Sequence, residues 1–290
     1  MSAPEGFEDD AVRARRRLAK RLRDLRLLAR LSGEQLGTLC GWAQTKTSRI
    51  ETGVTVPQIA DIGAWLRAVD AAPEVQDELL DLADAALTSA SSWQHQHRHG
   101  LGRNQQRIAG LEAAASVIRS FQVDIIPGIL QTAAYARAVM SFGNPSGQVD
   151  LAEAVKARMD RQAILFDTSK RFELLIWEPA LRWQPGPPEL LLGQLDRVLS
   201  LLDLPNVEVG IIPLDKPAST LLYHGFVILG EPSVDDDVYV LVETIADELR
   251  ISAADKVGLY LERFDRLREA AVFGDDARPV LHRITKELIP

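Results

Sequence analysis

The chain has 290 residues, 46% of them hydrophobic and 26% charged, which is enough for two domains each with its own core. Its formal net charge is −8, and its single Cys excludes an internal disulfide and fits a reducing compartment. No apolar run nears the ~20 residues of a membrane span and no signal peptide is recognisable, so a cytoplasmic protein without membrane contact is expected.

The charge is unevenly spread. Residues 11 to 69 hold 12 Lys+Arg against 4 Asp+Glu, a local +8, while residues 70 to 290 come to −12. A basic module on an acidic body points to a polyanion partner for the module alone.

Residues 1 to 10 are small and acidic and are expected to be a disordered tail. Residues 11 to 31 read as a basic helix whose core face is Leu18, Leu22, Leu25 and Leu28. Arg15, Arg16, Arg17, Lys20, Arg21 and Arg23 project elsewhere, either as a solvated face or as phosphate contacts at a groove edge.

Residues 32 to 53, SGEQLGTLCGWAQTKTSRIETG, read as two short helices joined by a sharp turn. Ser32 is a good N-cap for the first. Gly37 falls where two backbones must approach, and Gly41 where the chain must turn. Leu36, Cys40, Trp42 and Ile50 are the apolar marks, and Thr47 fills the slot between the last two. This is the pattern of a helix-turn-helix, whose second helix enters a DNA major groove. That helix runs from about Ala43 to Thr52. Gln44, Thr45 and Lys46 occupy its first turn, with Ser48 and Arg49 further along. Gln pairs with adenine, and Arg or Lys with guanine O6 and N7. Residues 57 to 69 close the bundle, with Ile59, Ile62, Trp65, Leu66 and Val69 inward.

Residues 18 to 69 resemble the helix-turn-helix of the XRE family, which is similar to phage repressor and Cro domains. The likeness rests on Leu36-Gly37, Gly41, the run Gln44 to Gly53, and Pro57. It implies a lambda-repressor-like all-α bundle. It also implies that Arg26 of the first helix pairs with Glu51. DNA contact through Gln44, Thr45, Lys46, Ser48 and Arg49, with Ser32 and Arg23 at the edge, follows from the same arrangement. Family members often cap the recognition helix with Ser or Thr, whereas this chain has Ala43.

Residues 74 to 90 read as another amphipathic helix, with Val75, Leu79, Leu82 and Leu87. The domain boundary is placed there, and 91 to 107 is expected to be a linker. Trp93 can pin that linker to a neighbouring surface. His95, His97 and His99 alternate within it but lack Cys or carboxylate companions, so no metal is expected.

From 108 an α+β domain is expected, with a small sheet flanked by helices. Helices are predicted at 108–119, from near Leu130, and at 149–166, 188–204, 252–272 and 278–288. Strands are predicted at 171–178, 206–214, 223–230 and 237–244. Pro127 to Ala138 (P-G-I-L-Q-T-x-x-Y-A-R-A), the helix with Arg158 and Arg161, Trp177 to Arg182, Leu204 to Val209 and Phe264 to Ala271 resemble, in order, the DUF5753 domain of actinobacterial regulators. The resemblance implies an antitoxin-like regulator acting beside a small DUF397-type partner protein, and it transfers no catalytic residue.

Glu178, Glu243, His224 and Tyr223 are the groups an enzyme would use, yet no nucleophile elbow, zincin motif, P-loop or dinucleotide fingerprint accompanies them. Asp235-Asp236-Asp237 lacks the spacing of a calcium loop. The expectation is a sequence-specific DNA-binding regulator, homodimeric, with no cofactor and no catalysis. The alternatives are a partner-sequestering protein and a small-molecule-responsive repressor.

Overall fold

The computed structural model describes residues 10–92, 101–142, 151–216, 220–244 and 247–289. The chain divides into two units. One comprises residues 1–91 with 249–256, and the other residues 92–248 with 257–290. The expectations for residues 1–9, for Trp93 and for the three alternating histidines lie outside the described residues.

The first unit is helical: α1 (Asp10–Leu28), α2 (Gly33–Cys40), α3 (Gln44–Glu51), α4 (Ile59–Ala68) and α5 (Pro73–Leu87), followed by the strand β1 (Thr88–Ser92). Its core is Leu18, Leu22, Leu36, Ile50, Ile62, Trp65, Leu66 and Leu79, with Ala83 and Ala86. Two expected core residues are exposed. Leu28 is 81% exposed because repeated three-residue steps fall about 60° short of a full turn each, so the stripe drifts off the core face. Ile59 is 39% exposed because it is the first residue of α4, before that helix reaches the core. The chain also leaves the helix at residue 88, where the sequence suggested three further helical residues and then a linker.

The turn between α2 and α3 matches its glycines. Gly41 ends α2 at φ 79, and Trp42 N donates to Gly37 O at 2.9 Å. A Cβ on Gly37 would lie 2.8 Å from the Trp42 carbonyl oxygen, a backbone atom that cannot yield cheaply. Ser32 caps α2 through a reciprocal box with Gln35, at 3.1 and 2.8 Å. Ala43 gives α3 no side-chain cap. Thr47 is buried, and its hydroxyl accepts from Trp42 Nε1 at 3.0 Å, so the polar atom in the apolar slot is satisfied. Residues 249–256 return to this unit, where Gln58 bonds Ser252 O and Ala254 N, each at 3.0 Å.

Arg26 and Glu51 form a two-pronged pair. Nε donates to Oε1 at 2.5 Å and Nη2 to Oε2 at 2.8 Å, while Nη1 donates to Leu31 O at 2.7 Å. Both side chains are only 11% exposed. The hydrogen bonds to Glu51 hold the Arg26 pKa above its ordinary value.

The second unit contains α6 (Leu101–Ala114), β2 (Val117–Gln122), α7 (Ala133–Phe142), α8 (Leu151–Arg161) and β3 (Arg171–Trp177). After them come α9 (Pro188–Leu201), β4 (Val207–Ile212), β5 (Phe226–Leu229) and β6 (Tyr239–Glu243), and β7 (Asp247–Ile251) starts in this unit and runs into the 249–256 stretch of the first. The helix α10 (Ala254–Ala270), the short strand β8 (Val272–Phe273) and α11 (Gly274–Leu288) end the chain. Within the sheet these strands run β7-β6-β5-β2-β3-β4-β8. β2, β3 and β4 are parallel, while β5, β6 and β8 join antiparallel. The overall class is α+β.

The parallel centre is covered on both faces, as its near-continuous apolar strands require. Phe172, Leu174, Leu175 and Ile176 of β3 are all buried. Gly210 of β4 leaves room for the ring of Phe273: a Cβ there would lie 2.4 Å from Cε1.

The sequence reading missed β2, β7 and β8. Residues 115–119 were expected to continue a helix, but the helix ends at Ala114 and Val117 opens the strand. Arg119 disguises that strand. It is buried, and it is satisfied by Glu173 directly opposite at 2.9 Å and by Glu231 at 2.6 Å. Residues 101–107 are helix rather than linker.

Removing half of the Arg26–Glu51 pair strands the other charge in a largely dry site. Glu51→Gln is expected to destabilise the first unit by about 3 kcal/mol. Chemical denaturation of the full chain, followed by the fluorescence of Trp42 and Trp65, checks it. A change under about 0.5 kcal/mol, the scale of an exposed pair, would mean the pair is not structural.

Candidate nucleic-acid interface

The helix α3 has two faces with different duties. Thr47 and Ile50 are buried against the bundle, and Glu51 reaches back to Arg26. Gln44, Thr45, Ser48 and Arg49 are exposed, and their i, i+1, i+4, i+5 spacing puts them on one side. Among the described residues, nothing is bonded to the Arg49 guanidinium or to the Gln44 amide. An amide and a guanidinium projecting from the same face are suited to bidentate contacts with adenine and guanine edges.

Lys46 does not join them. Its ammonium donates to Asp61 of α4 at 2.8 Å and sits 4.7 Å from the centroid of the Trp42 ring. The side chain is 40% exposed, and the pair fastens α3 to α4. Nothing in the local sequence signals this, because Asp61 lies 15 residues away in another helix.

Ser32 is exposed at the amino end of α2, with its oxygen committed to the cap. A hydroxyl there, beside unbonded backbone N–H groups, is a common phosphate contact. The basic helix α1 is partly neutralised from within. Arg21 pairs with Glu78 at 2.9 Å and Lys20 with Asp24 at 2.9 Å. Arg23 remains exposed. Arg15 lies against the end of α3, since a Cβ on Gly53 would sit 3.8 Å from its Cγ. The cations of α1 therefore begin beside the reading helix. Burial pushes the half-buried Cys40 thiol up, which keeps it protonated.

In the second unit two of the carboxylates singled out in the sequence, Glu178 and Asp235, hold elements together. Glu178 is 1% exposed and accepts from Arg182 at 2.7 Å, Arg283 at 3.0 Å and Leu214 N at 2.9 Å. Those bonds tie the end of β3 to α11 and to the residues after β4. Glu243 ends β6 in an exposed position. Asp235 accepts from Ser116 N and Oγ and from Glu231 N, which fixes the loop after β5. Arg158 and Arg161 share Gln105 Oε1 as acceptor at 3.2 and 3.1 Å. Burial pushes the Arg158 pKa down to about 10, with the Arg161 charge adding to the effect. Arg161 faces Glu112 at 3.3 Å, while Arg158 donates to the neutral Gln131 Oε1 at 2.6 Å. Tyr223 and His224 border a cavity beside α10. Among the described residues no cluster of His, Cys, Asp and Glu has metal-binding geometry. No helix of the described residues is long and apolar enough to cross a membrane.

Comparisons agree with this division. A family model described as a helix-turn-helix domain matches residues 17–79. A second, described as a domain of unknown function (DUF5753), matches residues 105–283. No curated protein matches. Among solved structures, the archaeal chromatin protein TrmBL2, described as showing a novel mode of DNA binding, is similar at 14% identity and a TM-score of 0.32. That similarity covers 69% of this chain and 62% of TrmBL2, so the chain spans less than two thirds of that protein. The DUF5753 match takes in more than half of the sequence, and the chain belongs to the DUF5753 family, with a helix-turn-helix domain ahead of the family domain.

Proposed function

We propose that this protein is a sequence-specific DNA-binding transcription regulator of the XRE type, acting as a homodimer. The observation that carries the reading is the exposed face of α3. Gln44, Thr45, Ser48 and Arg49 project together, while every structural duty of the helix falls on its opposite side. The helix-turn-helix match and the local +8 of residues 11–69 support it. In this reading Gln44 and Arg49 contact base edges, with Thr45 and Ser48 beside them. Ser32 and the arginines of α1, Arg23 among them, contact phosphates and set register without reading sequence. Lys46 orients α3 through Asp61. The second unit assembles the dimer and has no catalytic step.

A second reading, that the second unit sequesters a small DUF397-type partner, draws on the −12 of residues 70–290, which suits a basic polypeptide. The two readings are compatible, because a bound partner can titrate the regulator off DNA. The protein would then sit in the cytoplasm on the nucleoid.

Random-site selection with the full chain is expected to return one enriched motif. Arg49→Ala should relax preference at one position and weaken binding by about 1–3 kcal/mol, while Arg23→Ala should lower the salt slope by about one with preference intact. Recovery of no enriched sequence would sink the reading. Sedimentation should give a dimer, and the motif should contain two half-sites about 10 base pairs apart or a multiple of that. A monomer on a single half-site would remove the dimer. Co-expression with a neighbouring small basic frame should copurify the two chains. A partner that neither copurifies nor changes DNA affinity would remove the sequestration reading.

A further inference from the structure

A cavity of about 340 Å³ lies in the second unit between the sheet and α10. No residue around it belongs to the nucleic-acid interface described above. Its inner wall is aromatic. Phe226 of β5 meets Tyr260 of α10 edge to face, with centroids 5.0 Å apart and planes at 72°. Phe121 of β2 lies 5.8 Å from Phe226, and the His224 ring lies 6.0 Å from Tyr260. These rings present edges and faces around an opening, an arrangement that suits a flat apolar guest.

The polar groups around the cavity are few and separately placed. His224 Nδ1 lies 3.0 Å from Gly225 O, a distance that assigns the ring proton to Nδ1 and leaves Nε2 as an acceptor. The Tyr260 hydroxyl stands 3.5 Å from that nitrogen, looser than a full hydrogen bond. At the mouth, the Arg263 guanidinium lies 5.2 Å over the Tyr223 ring and donates to Thr220 Oγ1. Arg266 donates to Glu262 at 2.6 Å. Arg263 and Arg266 thus bring two guanidiniums to the rim, with the Glu262 carboxylate beside them. Leu221, Tyr223 and Leu259 around it are 65%, 67% and 66% exposed, so apolar surface continues outward from the cavity.

We infer that this cavity binds a small planar aromatic carboxylate. The ring would lie against the wall that Phe226, Tyr260 and His224 form together, and the carboxylate would meet the guanidinium of Arg263. A planar guanidinium stacked on an aromatic ring keeps its N–H edge open to a carboxylate, and that fork matches two carboxylate oxygens. The size fits the lower end of small-molecule sites, which are mostly apolar with a few placed polar groups. A phosphate lacks the flat apolar body these walls would cover, and a neutral aromatic lacks the group the rim would select. The inference stands on residues separate from the DNA reading, so either can fail alone.

The test is isothermal titration of the full chain with salicylate, cinnamate and indole-3-acetate, each beside its neutral amide. At least one acid is expected to saturate with Kd below about 1 mM, and its amide should bind at least about tenfold more weakly. Leu259→Trp, which adds bulk at the mouth from an exposed position, should weaken the acid at least about tenfold. Arg263→Gln should bring the acid to the level of its amide. Circular dichroism of both variants should match the parent, and the two are read separately so that misfolding of one leaves the other informative. Any of three results would overturn the inference: no acid binding below millimolar, acid and amide binding alike, or binding indifferent to both folded variants.

Discussion

The fork between Arg26 and Glu51 is the constraint on which the first unit turns. The helix α3 has eight residues and no side-chain cap at its amino end. A helix of that length is unstable alone, because nucleation costs more than a few hydrogen bonds return. Its order is therefore imposed from outside. Glu51 is gripped by α1, Thr47 is held by Trp42, Lys46 is tied to Asp61, and Ile50 is buried in the bundle. Each of these attachments uses the inner or lateral side of the helix. The outer side is left without structural duty, and only such a side can be spent on a ligand.

The same logic explains what the sequence made legible. Gly37, Gly41, Leu36 and Ile50 act through local geometry, so their spacing carries the information. The outer face of α3 was readable because exposure follows from the period once the buried side is known. The tie from Lys46 to Asp61 was not legible, because its anchor is a carboxylate on a later helix and single-chain periodicity carries no signal of a contact between elements. Leu28 was misjudged for a different reason, a stripe that precesses faster than the eye allows. The return of residues 249–256 to the first unit was invisible for the first reason again.

In the second unit the hidden element was the central one. β2 lies between β3 and β5, yet its sequence VIRSFQ interrupts the apolar run with Arg119 and Ser120. An arginine in a central strand is tolerable only where carboxylates meet it, and Glu173 sits opposite in register while Glu231 closes the other side. Neither partner is local in sequence, so the residue looked like a helix face. Glu178 repeats the pattern: read as a candidate acid, it proves to be the fastening of β3 to α11 through Arg182 and Arg283. Buried charges here are structural because they arrive with their counter-charges and backbone donors.

A chain with net charge −8 is an unexpected binder of a polyanion, and the resolution lies in range. At physiological salt the field of an exposed charge decays over about 8 Å. A phosphate at the face of α3 therefore responds to the charges of its own neighbourhood, where residues 11–69 carry +8. Pairs such as Lys20 with Asp24 and Arg21 with Glu78 contribute little to that field, because each cancels within its own length. What remains is an excess of arginine, with Arg15 beside the end of α3 and Arg49 on its outer side. The acidic remainder of the chain can oppose non-specific attachment to nucleic acid at low salt, where fields reach about 30 Å at 10 mM, while contributing little to close contact at physiological salt. On the proposed reading, such a split would favour sites where α3 makes short-range base contacts over sites that offer charge alone.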